Sequence, residues 1–174
     1  MDKRRWKDER SLAAQIALAA AGATALCIYH RSWVDTAHLV YDIPAGLTTF
    51  GFAAQLVIEL RKDGPHRFWL YRLATLVAMS VVTVGRQYRY WPISGHLSCV
   101  LAVALVQTAD PRLPWFERII YWIPVPIVLF LRFAVFERGG HSGTCNALLF
   151  AFLVAVPGMM LAFANRRDLT GECP

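Results

Sequence analysis

The sequence predicts an all-α integral membrane protein of six transmembrane helices with both termini cytoplasmic, and three observations predict it. First, 56% of the 174 residues are hydrophobic and mean hydropathy is +0.40; a soluble domain reaches only about 45–50% apolar residues even with glycine counted. Second, the charged residues gather in short clusters and leave apolar runs of roughly 17–20 residues, the length that crosses a bilayer as helix. Third, basic residues are shared unequally between alternate loops. Lys3, Arg4, Arg5, Lys7, Arg10, Arg61, Lys62, Arg67, Arg72, Arg112, Arg118, Arg166 and Arg167 fall on the side of the termini. Only Arg31, Arg86, Arg89, Arg132 and Arg138 fall on the other. Cytoplasmic loops retain Lys and Arg, so the termini are placed inside and the odd-numbered loops outside.

Residues 1–174 are read as a single domain. The basic cap Met1 to Arg10 holds the start of the first span, Ser11–Tyr29, on the cytoplasmic side. Ala21-Gly22-Ala23 has the look of a signal-cleavage site, and the segment is read as an uncleaved helix. A polar connection from His30 to Asp42 leads to the second span, Ile43–Leu60, with Pro44 in its first turn, where a missing N–H costs nothing. The basic turn Arg61 to Arg67 precedes the third span, Phe68–Gly85, and Arg72 is expected to snorkel to the headgroups. The fourth span, Ser94–Ala109, is the shortest and stops at Asp110-Pro111-Arg112-Leu113-Pro114. Trp115 is placed as an interfacial anchor. The fifth span, Glu117–Phe136, is kinked at Pro124 and Pro126, and the sixth is Asn146–Ala164. Gly51 and Gly158 are read as points of close helix packing.

A net charge of +6 raises nucleic acid as a partner, but no basic amphipathic face carries it, and topology accounts for it better. Cys27, Cys99, Cys145 and Cys173 show no CxxC spacing and no disulfide framework. The outer arginines need a different account. Arg86, Arg89, Arg132 and Arg138 lie beside His96 or His141, and Arg132 interrupts the apolar run Val128 to Val135. A charge so placed is costly unless it faces a wet cavity or a counter-ion, which marks it as functional. The fourth and sixth spans both point their N-termini, with unpaired N–H groups and positive dipole ends, at this outer face. Ser94-Gly95 and Gly139-Gly140 admit a ligand to the backbone, and arginine forks match phosphate oxygens. Two histidines flanking a phosphate permit attack on phosphorus by one and protonation of the leaving oxygen by the other.

Pro92-Ile93-Ser94-Gly95-His96 and the run from Arg132 through His141 to Asn146 resemble the second and third motifs of the type 2 phosphatidic acid phosphatase (PAP2) superfamily, six-helix membrane lipid phosphatases. The resemblance covers most of the chain in topology and about a dozen residues in motif. It implies a PAP2-like bundle that hydrolyses a lipid phosphate or polyprenyl diphosphate at an outward-facing site, without cofactor or metal. His141 would form a phosphohistidine and His96 would serve the leaving group. Arg86, Arg89, Ser94, Gly95, Arg132 and Arg138 would hold the phosphate. Where the family carries an aspartate after its nucleophile, this chain has Cys145 and then Asn146, which takes the orienting role.

That replacement keeps open a second reading, a catalytically impaired PAP2-like membrane subunit that grips a lipid headgroup. A third is metal or haem binding by outer-side residues, through His96 and Cys99 with His141 and Cys145, or through His30 and His38. The expected partners are a membrane lipid and the bilayer, with an oligomer or larger membrane complex open and nucleic acid excluded. The expected location is a bacterial inner membrane, with the site facing away from the cytoplasm.

Overall fold

The computed structural model describes residues 3–31, 36–61, 67–88, 94–136 and 142–164. Among them the chain is helical throughout: α1 (Lys3–Tyr29), α2 (Thr36–Leu60), α3 (Arg67–Gln87), α4 (Gly95–Ala109), α5 (Trp115–Trp122), α6 (Pro124–Leu131), a π-helical turn (Arg132–Phe136) and α7 (Ser142–Ala164).

α4 is the axis of the fold. Leu97, Val100, Ala102, Val103, Ala104 and Val106 are completely buried, as expected of a helix that is apolar all round. α7 packs along α4 and α3, α2 meets both α4 and α6, and α1 lies on α2. One cluster joins α4 to α3 and α7 through Val103, Val106, Tyr71, Met79, Val154 and Ala155. A second joins it to α2, α6 and α7 through Leu97, Val100, Tyr41, Ala45, Val128 and Ala147.

Close helix approach rests on small residues, though not on both those expected. A Cβ added to Gly158 would stand 2.0 Å from Thr75 Oγ1 and 3.0 Å from the Tyr71 carbonyl oxygen, so α7 can lie on α3 only because that position is glycine. On Gly51 it would meet Ala19 Cβ at 3.7 Å, an ordinary contact. The tight points between α1 and α2 are instead Gly46, 2.8 Å from Ala23 Cα by the same measure, and Gly22 against Phe50.

Several boundaries differ from expectation for local reasons. α2 starts at Thr36, which puts Pro44 inside the helix and not in its first turn. Proline there leaves the Val40 carbonyl without its helical partner, and the Thr48 hydroxyl donates to the Pro44 carbonyl at 2.7 Å. Tyr41 and Asp42, buried to 5% and 1% exposure, belong to the helix and not to the preceding connection. The fifth span is divided as its prolines suggest: α5 ends at Trp122, and α6 begins with Pro124 at its first position. Trp115 is 73% exposed at the start of α5.

Two stretches are long and apolar enough to cross a bilayer, His38–Leu60 and Cys145–Ala164, while Ala13–Tyr29, Trp69–Gly85 and Gly95–Ala109 are shorter apolar helices.

Candidate functional site

Both ends of α4 carry buried polar groups. At its C-terminal end Asp110 is 0% exposed and closes an ion cluster. Arg72 Nη2 donates to Asp110 Oδ2 at 3.1 Å, and Arg72 Nε to Glu59 Oε2 at 3.0 Å. The Arg72 Nη1 donates to Gln55 Oε1 at 2.5 Å and Gln107 Oε1 at 2.7 Å. Arg112 reaches both Asp110 oxygens, Glu59 Oε1 and the Tyr71 hydroxyl at 2.9–3.1 Å. The Tyr71 hydroxyl in turn donates to Asp110. Arg72 was expected to snorkel outward; it is 2% exposed and turned inward, because four acceptors from α2 and α4 offer more than the headgroup region could. Burial alone would raise the Asp110 carboxyl, but the hydrogen bond from Arg112 and the charges of Arg72 and Arg112 outweigh it and hold it below the ordinary carboxylate range.

The N-terminal end of α4 is built differently. Three helices converge there. α1 closes with His30 N–H donating to the Leu26 carbonyl at 3.0 Å, and Arg31, at φ 54°, takes the left-handed conformation that ends many helices. This sets His30 beside α2, where its Nδ1 stands 3.0 Å from Asp42 Oδ2. From α4, His96 Nε2 stands 2.6 Å from the other oxygen, Oδ1. Asp42 is buried while the side chains of His96 and His30 are 13% and 30% exposed, so the carboxylate sits behind two imidazoles that face outward. Tyr41 packs against His96 in a tilted arrangement, interplanar angle 49° with ring centroids 4.5 Å apart, and its hydroxyl pairs with Ser94 Oγ at 2.7 Å.

These imidazoles form one wall of a cavity of about 410 Å³, within the range of small-molecule sites. Leu26, Ala45, Phe50, Val84 and Cys99 line the remainder, together with Thr49 and Thr83. The cavity therefore carries His30 and His96 on a lining that is otherwise mostly apolar. Phe50 and Val84, at its rim, are 37% and 55% exposed.

The predicted site residues divide accordingly. Ser94, Gly95 and His96 stand together where α4 begins, with the Ser94 hydroxyl turned inward to Tyr41. Asn146 is half-buried near the start of α7. The next residue ties that turn to α4, since Ser98 Oγ donates to the Ala147 carbonyl at 3.2 Å. Arg132 is half-buried on the π-helical turn. Arg86 falls in the last turn of α3, with its side chain outside the described residues; Arg89, Arg138 and His141 lie wholly outside them.

Asp42 and Tyr41 are the residues that sequence reasoning missed, and His30 entered it only as a metal ligand. A signal was present. Asp42 is an acid at the head of the apolar run Ile43–Leu60, and the reasoning that marked Arg132 as costly in such a setting applies equally to it. The cysteine-based metal set includes His141, which lies outside the described residues; among the described residues, the group of ligand atoms found within 4.8 Å of one another is His30, Asp42 and His96. His38, one turn before Asp42, and Cys145 are exposed.

No protein-family model, curated protein or solved structure matches this chain.

Proposed function

We propose that this chain is an integral membrane hydrolase of an amphiphilic phosphate, a lipid phosphate or polyprenyl diphosphate, and that the cavity at the N-terminal end of α4 is where it works. The observation that carries the reading is His96: it opens α4, is backed by Asp42 at 2.6 Å, and lines an otherwise mostly apolar cavity. An amphiphile has that polarity, with its headgroup against the imidazoles and α4 N-terminus and its chain along Leu26, Phe50 and Val84. The six-span arrangement is part of the proposal. It is supported by the two long apolar helices and by rows of exposed apolar side chains, Val77, Val81 and Val84 on α3 and Leu149, Phe152, Val156 and Met160 on α7, which acyl chains would cover.

The chemistry follows the PAP2-like motif. His141 attacks phosphorus and displaces the alkoxide or phosphate oxygen, His96 delivers a proton to that oxygen, and water then cleaves the phosphohistidine to release phosphate. Asp42 holds the His96 ring in place. The family's aspartate does this for the nucleophile; here a buried carboxylate stands behind the other histidine.

Protein purified in detergent without added metal is expected to release phosphate from a lipid phosphate or prenyl diphosphate. His141→Ala should abolish release, and His96→Ala should slow it about 10²–10⁴-fold, the usual worth of a positioned proton donor. Wild-type protein that binds these lipids yet releases no phosphate would establish the headgroup-binding reading in its place.

A further inference from the structure

We infer that His30, Asp42 and His96 form a binding site for one divalent transition-metal ion of the zinc class, and that occupancy of this site silences the hydrolase by keeping the His96 ring from becoming the imidazolium that delivers a proton. The binding site stands on geometry alone; its effect on turnover rests on the function proposed above.

The donors come from three separate elements, the end of α1, α2 and the start of α4, and their ligand atoms lie within 4.8 Å of one another. Ligand atoms about 2.1 Å from a tetrahedral ion are about 3.4 Å apart. The Nδ1 of His30 and Nε2 of His96 lie 3.0 and 2.6 Å from the two Asp42 oxygens, so side-chain adjustments of about 1 Å would seat an ion among them. Two imidazoles and a carboxylate suit zinc, cobalt, nickel or copper, whereas magnesium and calcium seek oxygen alone. The fourth position would open on the cavity that the two imidazoles line, as in sites that keep a water or ligand on the metal. His30, with 30% of its side chain exposed, gives the ion a path from outside. Bringing a dication to a buried carboxylate also neutralises charge that the apolar surroundings disfavour.

Nε2 is the atom that faces Asp42, so the proton for the leaving oxygen comes from Nδ1 of the imidazolium. A ring ligated through Nε2 stays neutral and its remaining N–H is a far weaker acid, so ion binding and proton delivery exclude one another, and an enzyme of this design would slow when zinc-class ions rise.

The test uses full-length protein in detergent, stripped with chelator and titrated with Co²⁺, whose visible absorption reports its ligands, and with Zn²⁺ by calorimetry. One ion per chain is expected, undisturbed by excess Mg²⁺ or Ca²⁺. His30→Ala and Asp42→Asn should each weaken binding by at least about 10-fold, with folding verified by thermal unfolding, and Cys145→Ser should leave it unchanged. A wild-type protein that takes up no ion, or variants that bind as tightly as wild type, overturns the site. Phosphate release should fall with the binding midpoint and return on chelation; release that continues with the site saturated overturns the regulatory role. Absence of release with and without ion counts against the hydrolase and leaves the isotherms to decide the site.

Discussion

The two ends of α4 use the same materials to opposite effect. At the C-terminal end two guanidinium groups, Arg72 and Arg112, meet two carboxylates, Glu59 and Asp110, with Tyr71, Gln55 and Gln107 taking further bonds. Charges balance, and the groups are held by one another. At the N-terminal end a single buried carboxylate meets two imidazoles that line a cavity. A cluster whose bonds are spent internally fixes the relative positions of α2, α3, α4 and the α4–α5 turn. A cluster whose imidazoles line a cavity can meet a ligand. Buried polarity alone does not distinguish structure from function; whether it borders a cavity does.

The largest expected effect breaks the C-terminal cluster. Asp110→Ala leaves Arg72 and Arg112 to share Glu59 alone, so one of the two positive charges goes uncompensated, and an uncompensated buried charge costs about 3–5 kcal/mol. Thermal unfolding in detergent should show it. By contrast, Asp42→Asn should cost about 1 kcal/mol, since an amide can still accept one imidazole bond, while metal binding falls. Equal stability losses at the two positions would erase the distinction drawn between them.

Acid provides a second probe. The native Asp110 carboxyl is held below its ordinary value, so it binds protons less readily folded than unfolded. Its contribution to stability is therefore complete above the ordinary aspartate range and is lost as pH falls through the depressed native value. The melting temperature should decline in that acidic window, and Asp110→Asn should flatten this part of the profile.

Smaller effects test the packing that brings the two ends into register. Gly158→Ala drives a Cβ into Thr75 and the Tyr71 backbone, and should cost about 1–3 kcal/mol by prising α7 from α3 beside the ion cluster. Gly51→Ala has room against Ala19 and should be neutral or stabilise by up to about 1 kcal/mol, because alanine loses less backbone freedom in a helix. Chemical denaturation of the two variants side by side would reverse this ranking if the α3–α7 approach were looser than described.

What could be read from the sequence follows local rules. Helices, their breaks at Pro114 and Pro124, and the exposed Trp115 are set by hydropathy, proline and chain neighbours, and they stand close to where they were expected. The place of His96 at the head of a helix was also legible, because it follows a polar run and opens an apolar one. Arg72 was misread for want of information that its own segment does not hold: its partners Gln55, Glu59, Gln107 and Asp110 come from α2 and the end of α4.

The sequence by itself determined that the chain is helical and apolar, with its polar residues near the helix ends, since each of these depends on residues a few positions apart. Only the tertiary structure decided that His30, Asp42 and His96 share one wall of a cavity and that Asp110 gathers Arg72 and Arg112 at the other end of α4. The physical reason is the range of the forces involved. Hydropathy and backbone geometry act along the chain, whereas a buried charge takes its partner from whichever helix the packing of small and apolar side chains brings alongside.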